Sequence, residues 1–573
     1  MATRANKFWL LAAVAVATLA LFWHLGGYPL VQPDEGRNAE VAREMERSGS
    51  WLIPTLNDVP YLDKPAFYFK VVALSMSSFG ESEWAARLPS ALFGLLTLGL
   101  VYGLCRRQYT AERAAIASMM ASTSPLFIMY SRLVIFDAVL TFFISAAILA
   151  GFCAEMFAGL RRPRWHAAGA AAAGMATLVK GPVGFVVPAL ILSTFFLLEG
   201  RRDAFRRLFA LRNLVVFSLV VLPWFLGVSY LYPDFPFYGV VHESILRFTT
   251  DEFHREQPFY FYPAVLLGGF FPWSLFLLDP LLGAWRGYRR LESIERLCLI
   301  WIAVVLVFFS LSHSKRPGYL LIVVVPTALL ASRCFEAALR QDSRPAIAKA
   351  LARASLALGV FSLGLAAALV LVAWLPQLRL SAAQLDAMVV EELVQRSVLL
   401  VGAFVLAAGL AIGAWRTRSA RIAFAAFMTL PLAVVILGLG PWARVAERRS
   451  ARSLAAAVDS LAQGAEIVCV RCFPISLPFY LGRTITVVTE TGGELSSNYV
   501  KFALERGDPW PHSLVRGSEL ESRVAERSRP IFLLADESGQ PELEALAQKY
   551  GAPVGTVAPG YVGAWIPMAD PAP

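Results

Sequence analysis

The 573-residue chain is poor in charge: Asp, Glu, Lys and Arg make up 16 % of it, where a soluble chain of ordinary composition carries about 25 %. That shortage excludes an ordinary soluble enzyme and points to lipid as the main solvent. Cysteine and histidine are scarce as well, six of each. Cys105, Cys153, Cys298 and Cys334 lie in or beside apolar segments and read as small hydrophobes. Cys469 and Cys472 form one C-x-x-C with no second pair near it, so a four-ligand zinc site has no support. They fall in a β-rich stretch, which sets their Cβ atoms on opposite faces. A disulfide between them needs a turn, and the sequence leaves that open. There is no internal repeat, no heptad pattern and no long linker.

What the chain has in quantity is hydrophobic residues, 57 % of the total. Hydropathy resolves them into about thirteen segments near the roughly 20 residues that span a bilayer. They are 8–27, 86–104, 112–130, 134–158, 166–180, 182–199, 212–231, 262–283, 296–312, 318–335, 352–375, 397–415 and 421–441. The first lacks a clean A-x-A cleavage site and is expected to stay as an anchor. The net charge of +10 comes from short basic clusters between segments. In a soluble protein it would suggest nucleic acid; here it sets membrane orientation, and no nucleic-acid partner is expected. Arg106-Arg107, Arg161 to Arg164, Arg201 to Arg207, Arg286 to Arg290 and Arg416 with Arg418 follow alternate segments. The positive-inside rule then puts the N-terminus in the cytoplasm and the C-terminus outside.

Two domains follow: a transmembrane part, 1–441, with outer loops 28–85 and 232–261, and an outer part, 442–573. In the latter, Arg448–Gln463 and Glu542–Tyr550 read as helices. Ile467–Val470, Thr484–Thr489 and Ile531–Ala535 read as strands. The expected fold is therefore an α-helical polytopic membrane protein ending in a small α/β soluble domain.

The outer loops hold the chemistry-bearing residues. Gln32-Pro-Asp-Glu-Gly-Arg-Asn-Ala-Glu-Val-Ala-Arg-Glu-Met reads as the start of a short interfacial helix. Asp34 and Glu35 either complement its dipole or face a substrate. Further on, Tyr61-Leu-Asp63-Lys64-Pro sets a lysine among aromatics. It either snorkels to the headgroups or binds phosphate. Asp137 sits in an apolar run, where an ionisable residue faces a cavity or a partner; Arg132 is the plain candidate partner. Lys180-Gly181-Pro182 reads as a tight outer turn whose lysine either snorkels or binds phosphate. In the second loop Glu243 and Arg247 are spaced to pair on a helix, yet a guanidinium also matches phosphate. His242 and His254 are weak metal candidates, since their spacing is not metal-specific. A divalent metal is possible without support, and no cofactor is required. Lys315 and Arg316 fall on the outer side against the charge rule, which favours a role with anionic lipid. Tyr61 and Tyr319 suit stacking on sugar or prenyl groups.

The runs P-D-E-G-R-x-A-E-V-A-R-E-M, W-L-I-P-x-L-N, Y-L-D-K-P and A-A-R-L-P-S resemble the N-terminal signature of the bacterial aminoarabinose transferases of lipid A. These are C-type glycosyltransferases related to protein O-mannosyltransferases. Ser476-Leu-Pro-Phe-Tyr-Leu-Gly-Arg in the tail is similar too, while the β-trefoil insert of the eukaryotic mannosyltransferases is missing. The resemblance implies a bacterial inner-membrane enzyme with a periplasmic active site and an undecaprenyl phosphate-linked sugar donor. The acceptor would be a lipid A phosphate and the reaction a single inverting displacement. It implies Asp34, with Glu35 beside it, and Asp137 as catalytic carboxylates, and Lys64 as the donor-phosphate ligand. We add Arg247 as a second phosphate ligand, and Tyr61, Asp63, Lys180, Lys315, Arg316 and Tyr319 as substrate-binding residues. Two alternatives stand beside this reading. One is transfer of another polyprenyl-linked sugar to a protein hydroxyl or envelope glycan, with Asp34 as a base. The other is a lipid transporter without chemistry, which would place charges at the midplane and show inverted repeats.

Overall fold

A computed structural model describes residues 2–157, 159–250, 256–277, 281, 287–339, 345–374 and 387–568. The chain divides into two compact units: residues 1–25, 87–225 and 244–444, and residues 26–86, 226–243 and 445–573.

The first unit is a bundle of helices of a polytopic membrane protein. Among the described residues, eight helices are long and apolar enough to cross a bilayer. The count is nine if Ala111–Ser122 and Pro125–Ser131, bent by 68°, form one span. The bend falls where Pro125 has no N–H to continue the ladder and instead opens the next helix. Asn6–Phe22 and Val183–Leu198 are shorter apolar helices. The expected segment 262–283 runs partly into residues outside the described set.

Small residues let these helices approach closely. A Cβ on Gly169 would meet the Ala147 carbonyl at 3.3 Å, and one on Gly151 would run into the Leu192 side chain. That brings Asp137–Met156, Arg162–Lys180 and Val183–Leu198 together. Gly181, at φ +78°, makes the expected turn between the last two. Deeper in, Trp273 packs with Phe335, Phe424 and Phe427, and its indole N–H donates to Thr123 Oγ1 at 2.9 Å.

The second unit joins residues 26–86 and 226–243 to the tail. Its core is a six-stranded sheet, numbered here from the small hairpin β1 (Thr55–Leu56) and β2 (Val59–Pro60). The sheet strands are β3 (Glu466–Val470), β4 (Thr486–Val488), β5 (Leu514–Val515), β6 (Ile531–Ala535), β7 (Val554–Ala558) and β8 (Tyr561–Ile566). Their order is β5-β4-β3-β6-β8-β7, with the first four parallel and the last two joined antiparallel. β6 is buried along its whole length and β3 over four of its five residues, so both show as unbroken apolar runs. Of the helix expected over 448–463, Arg452–Leu461 is helical; a separate helix, Leu439–Arg448, ends where the expected one begins, with the break around Ser450. Cys469 lies on β3 and Cys472 follows Arg471, whose φ of +52° supplies a turn; both thiols are free and buried.

Candidate functional site

The second unit carries the Asp34 and Lys64 motifs. A helix starts at Asp34 and runs to Ser48, ended by Gly49 at φ +68°. Its first two acids part company. Glu35 is 2 % exposed, and its carboxylate accepts the Val31 N–H at 3.1 Å. The Asp34 side chain is 36 % exposed and pairs with Arg37 one turn on. Arg37 also donates to the Ser496 carbonyl at 3.3 Å and lies 5.8 Å from the Tyr61 ring centre. Burial works against its charge, but Tyr61, Asp34 and Asp63 together hold its pKa above the usual value. The helix is thus oriented so that Asp34 is the accessible acid and Glu35 fastens the entering chain.

Tyr61, 2 % exposed, stands edge-on to Phe69 and has its hydroxyl pKa pushed up by burial. Asp63 is buried and engaged by the protein itself. Oδ1 accepts the Tyr238 hydroxyl at 2.6 Å and the Tyr499 N–H at 2.7 Å, and Oδ2 accepts the Asn498 N–H at 3.0 Å. The two amides open the helix Asn498–Glu505, so Asp63 caps its positive end. Lys64 beside it donates to its own neighbour's carbonyl, Asp63 O, at 2.7 Å and forms an ion pair with Glu243. Glu243 in turn accepts the Asn498 side-chain N–H at 3.2 Å. Asp63, expected to bind substrate, is held by Tyr238, Asn498 and Tyr499 and offers its backbone carbonyl to Lys64. His242 stacks on Tyr238 at 5.4 Å. His254 lies outside the described residues. Among the described residues, no three His, Cys, Asp or Glu side chains gather as a metal site.

The first unit carries the other acid. Asp137 opens its helix and accepts Lys180 Nζ at 2.7 Å, with both side chains mostly buried. Arg132, the expected partner, instead donates to the Ala20 and Trp23 carbonyls at the end of the first helix. Such helix-end carbonyls have no intrahelical partner, so they compete well for a guanidinium. Lys180 Nζ lies 4.9 Å from the Tyr319 ring centre. Gly318 brings this turn against the acid: a Cβ there would meet the Tyr130 ring and lie 3.1 Å from Asp137 Oδ1. Arg316 donates its N–H to the Tyr262 hydroxyl at 3.3 Å. Lys315 and Arg316 are both half-buried. Arg247 precedes Phe248, whose carbonyl accepts the His313 N–H at 3.1 Å, so the 247–250 and 313–319 segments meet. Asp137, Lys180 and Tyr319 therefore form one cluster. Asp34, Arg37 and Tyr61 form another, and Asp63, Lys64, Glu243 and Asn498 a third. Sequence reasoning missed Arg37, Tyr238 and Asn498 as members; the Arg of P-D-E-G-R was the one available signal.

Residues 63–226 match the family described as dolichyl-phosphate-mannose-protein mannosyltransferase. The chain is 30 % identical over 336 residues to undecaprenyl phosphate-alpha-4-amino-4-deoxy-L-arabinose arabinosyl transferase 2 of Proteus mirabilis, covering 58 % of this chain and 60 % of that protein. It is likewise 30 % identical over 348 residues to the corresponding transferase of Pseudomonas aeruginosa, covering 60 % and 62 %. The match thus spans less than two thirds of each relative. The structure is similar over 99 % of this chain and 98 % of the other to crystalline ArnT from Cupriavidus metallidurans bound to undecaprenyl phosphate, with TM-score 0.80 and 25 % identity.

Proposed function

We propose that this chain is a C-type glycosyltransferase of the aminoarabinose-transferase kind, moving 4-amino-4-deoxy-L-arabinose from undecaprenyl phosphate to a phosphate of lipid A. An acceptor phosphate oxygen forms a bond to the sugar C1 as the C1–O bond to the carrier breaks. The carrier leaves as undecaprenyl phosphate, with inversion at C1. The product carries less negative charge, which lowers the attraction of polymyxin and other cationic peptides. The observation that carries this reading is the near full-length structural likeness to a transferase crystallised with that carrier.

The residue roles follow from charge. Lys64 and Arg247 are the ligands of the donor phosphate, whose negative charge grows as it departs. Asp34, the accessible acid of its pair, answers the cationic amino sugar or the positive charge that develops on the ring. The acceptor phosphate is already ionised near neutral pH, so no base is needed to make the nucleophile. Lys180, Lys315 and Arg316 offer cations to anionic lipid, Tyr319 offers an aromatic face, and Asp137, paired with Lys180, is the second catalytic carboxylate. No metal enters this scheme.

The enzyme sits in the bacterial inner membrane with about thirteen spans, a count resting on hydropathy. Its N-terminus is cytoplasmic. Loops 28–85 and 232–261 and the α/β domain 442–573 are periplasmic, and residues 1–441 form the transmembrane part. A hydroxyl acceptor, on protein or glycan, is the second reading, favoured by the match of residues 63–226 to the mannosyltransferase family. Purified protein with undecaprenyl phosphate-aminoarabinose, offered lipid A or a hydroxyl acceptor in separate reactions, tests both. Sugar-modified lipid A in the mass spectrum supports the first reading; transfer to the hydroxyl alone replaces it by the second.

A further inference from the structure

Within the second unit, Lys64 is already occupied by an anion. Its ammonium pairs with Glu243 and donates to the Asp63 carbonyl. The Glu243 side chain is 6 % exposed and that of Lys64 16 % exposed, so neither is a loose surface group. Asn498 links the two sides of the lysine. Its backbone N–H donates to Asp63, and its side-chain N–H donates to Glu243 at 3.2 Å. The tail therefore holds both the residue that precedes Lys64 and the carboxylate that neutralises it. Asp63 is fixed a second time by Tyr238 and Tyr499.

A phosphate and a carboxylate cannot share one ammonium cheaply. Like charges at contact distance repel more strongly in a partly buried setting than in water. A phosphate arriving at Lys64 must therefore displace Glu243. Protein that holds Lys64 on Glu243 is not competent to bind, and apparent affinity falls with the competent fraction. We propose that Glu243 is an exchangeable counter-ion that reserves Lys64 until a lipid phosphate replaces it, and that Asn498 of the tail is the positioning residue that retains Glu243. This rests on Lys64 being the donor-phosphate ligand. It gives the tail a direct part in donor binding and makes the lysine selective. A neutral polyprenol offers no replacement charge and leaves the pair closed.

The test uses the full-length protein in nanodiscs, with undecaprenyl phosphate as probe and undecaprenol as neutral control. Glu243→Gln keeps the side chain's shape and its acceptor oxygen while removing the competing charge. A lysine freed from a pair that holds it most of the time gains about 5- to 10-fold in affinity for the phosphate. Asn498→Ala keeps the backbone bond to Asp63 and releases Glu243 alone, so a gain of about twofold is expected. In the Glu243→Gln background, Asn498→Ala should then add nothing, because there is no charge left to retain. A merely structural role for Asn498 would weaken binding in both backgrounds, and that result overturns its assignment. Unchanged or weaker phosphate binding by folded Glu243→Gln overturns the counter-ion proposal. Failure of the wild type to prefer undecaprenyl phosphate over undecaprenol removes the donor reading itself and is read separately.

Discussion

Two lysine–carboxylate pairs, one in each unit, have the same chemistry and opposite surroundings. Lys180–Asp137 lies at the start of a membrane helix. A tyrosine ring is set 4.9 Å from the ammonium, and a glycine backbone is pressed against the acid. Lys64–Glu243 lies among hydrogen-bonding groups supplied by the tail, with Asn498 on one side and the Asp63 carbonyl on the other. A pair packed by rings and backbone loses its whole desolvation offset when one member goes. A pair set among polar groups can trade one anion for another at lower cost. The first pair is thus suited to hold a helix end in place, and the second to exchange ligands.

The largest expected effect lies outside both pairs and calibrates them. Asp34→Asn should lower turnover on lipid A by about 100- to 1000-fold, the usual cost of removing one charge aimed at the transition state. Turnover measured against pH checks the mechanism at the same time. With a phosphate acceptor, the wild-type profile should have no limb that vanishes in Asp34→Asn. Such a limb would make Asp34 a base and favour the hydroxyl acceptor.

Lys64→Ala comes next and addresses the exchangeable pair. Losing a charge-assisted phosphate contact costs about 2–4 kcal/mol, read as weakened undecaprenyl phosphate binding with the protein still folded. Asp137→Asn addresses the packed pair and should behave differently. It leaves Lys180 without its carboxylate in a mostly buried place, at a cost of about 3 kcal/mol in stability. Thermal unfolding of the two variants side by side decides the matter. The comparison fails if Lys64→Ala loses stability as Asp137→Asn does, or if Asp137→Asn unfolds like the wild type.

The difference between the pairs was not visible in the sequence, although their members were. Asp137 and Lys64 stood out as charges in apolar or aromatic surroundings, Lys180 at a turn and Glu243 in the second loop. Which of them meet did not stand out. Glu243 is 179 residues from Lys64, and the Asn498 that anchors it is 435 residues from Asp63. No local spacing encodes such contacts. Local spacing guides least where the winding changes: the segment Phe237–Leu246 is a π-helix, so residues four apart in it no longer stack as they do in an α-helix. Arg132 was the near neighbour of Asp137, and helix-end carbonyls claimed it. In the tail, the buried runs of β3 and β6 were legible because parallel strands covered on both faces are continuously apolar. β5 has two residues and β7 is largely exposed, so neither leaves such a run.

The smallest effect concerns Glu44, which holds the hairpin leading into Tyr61 and Lys64. Its carboxylate accepts the Thr55 hydroxyl at 2.6 Å and the Asn57 and Asp58 amides at 2.5 and 3.0 Å. Asn57 and Asp58 both have positive φ, as a two-residue hairpin turn requires. Burial, with Glu40 nearby, pushes the Glu44 carboxyl up to about 8, against the pull of Thr55 and Asp58. The raised value fixes the sign. The fold binds the proton more tightly than the unfolded chain, so this contribution is whole below the ordinary carboxylate range. It fades as pH rises toward about 8. The thermal unfolding midpoint should accordingly fall between about pH 5 and 9. Glu44→Gln, which imitates the protonated acid, should flatten that slope while leaving Asp137→Asn as destabilising as before, because the two residues belong to different units. A slope that persists in Glu44→Gln would assign the pH dependence to another group and leave the hairpin contact as structure alone.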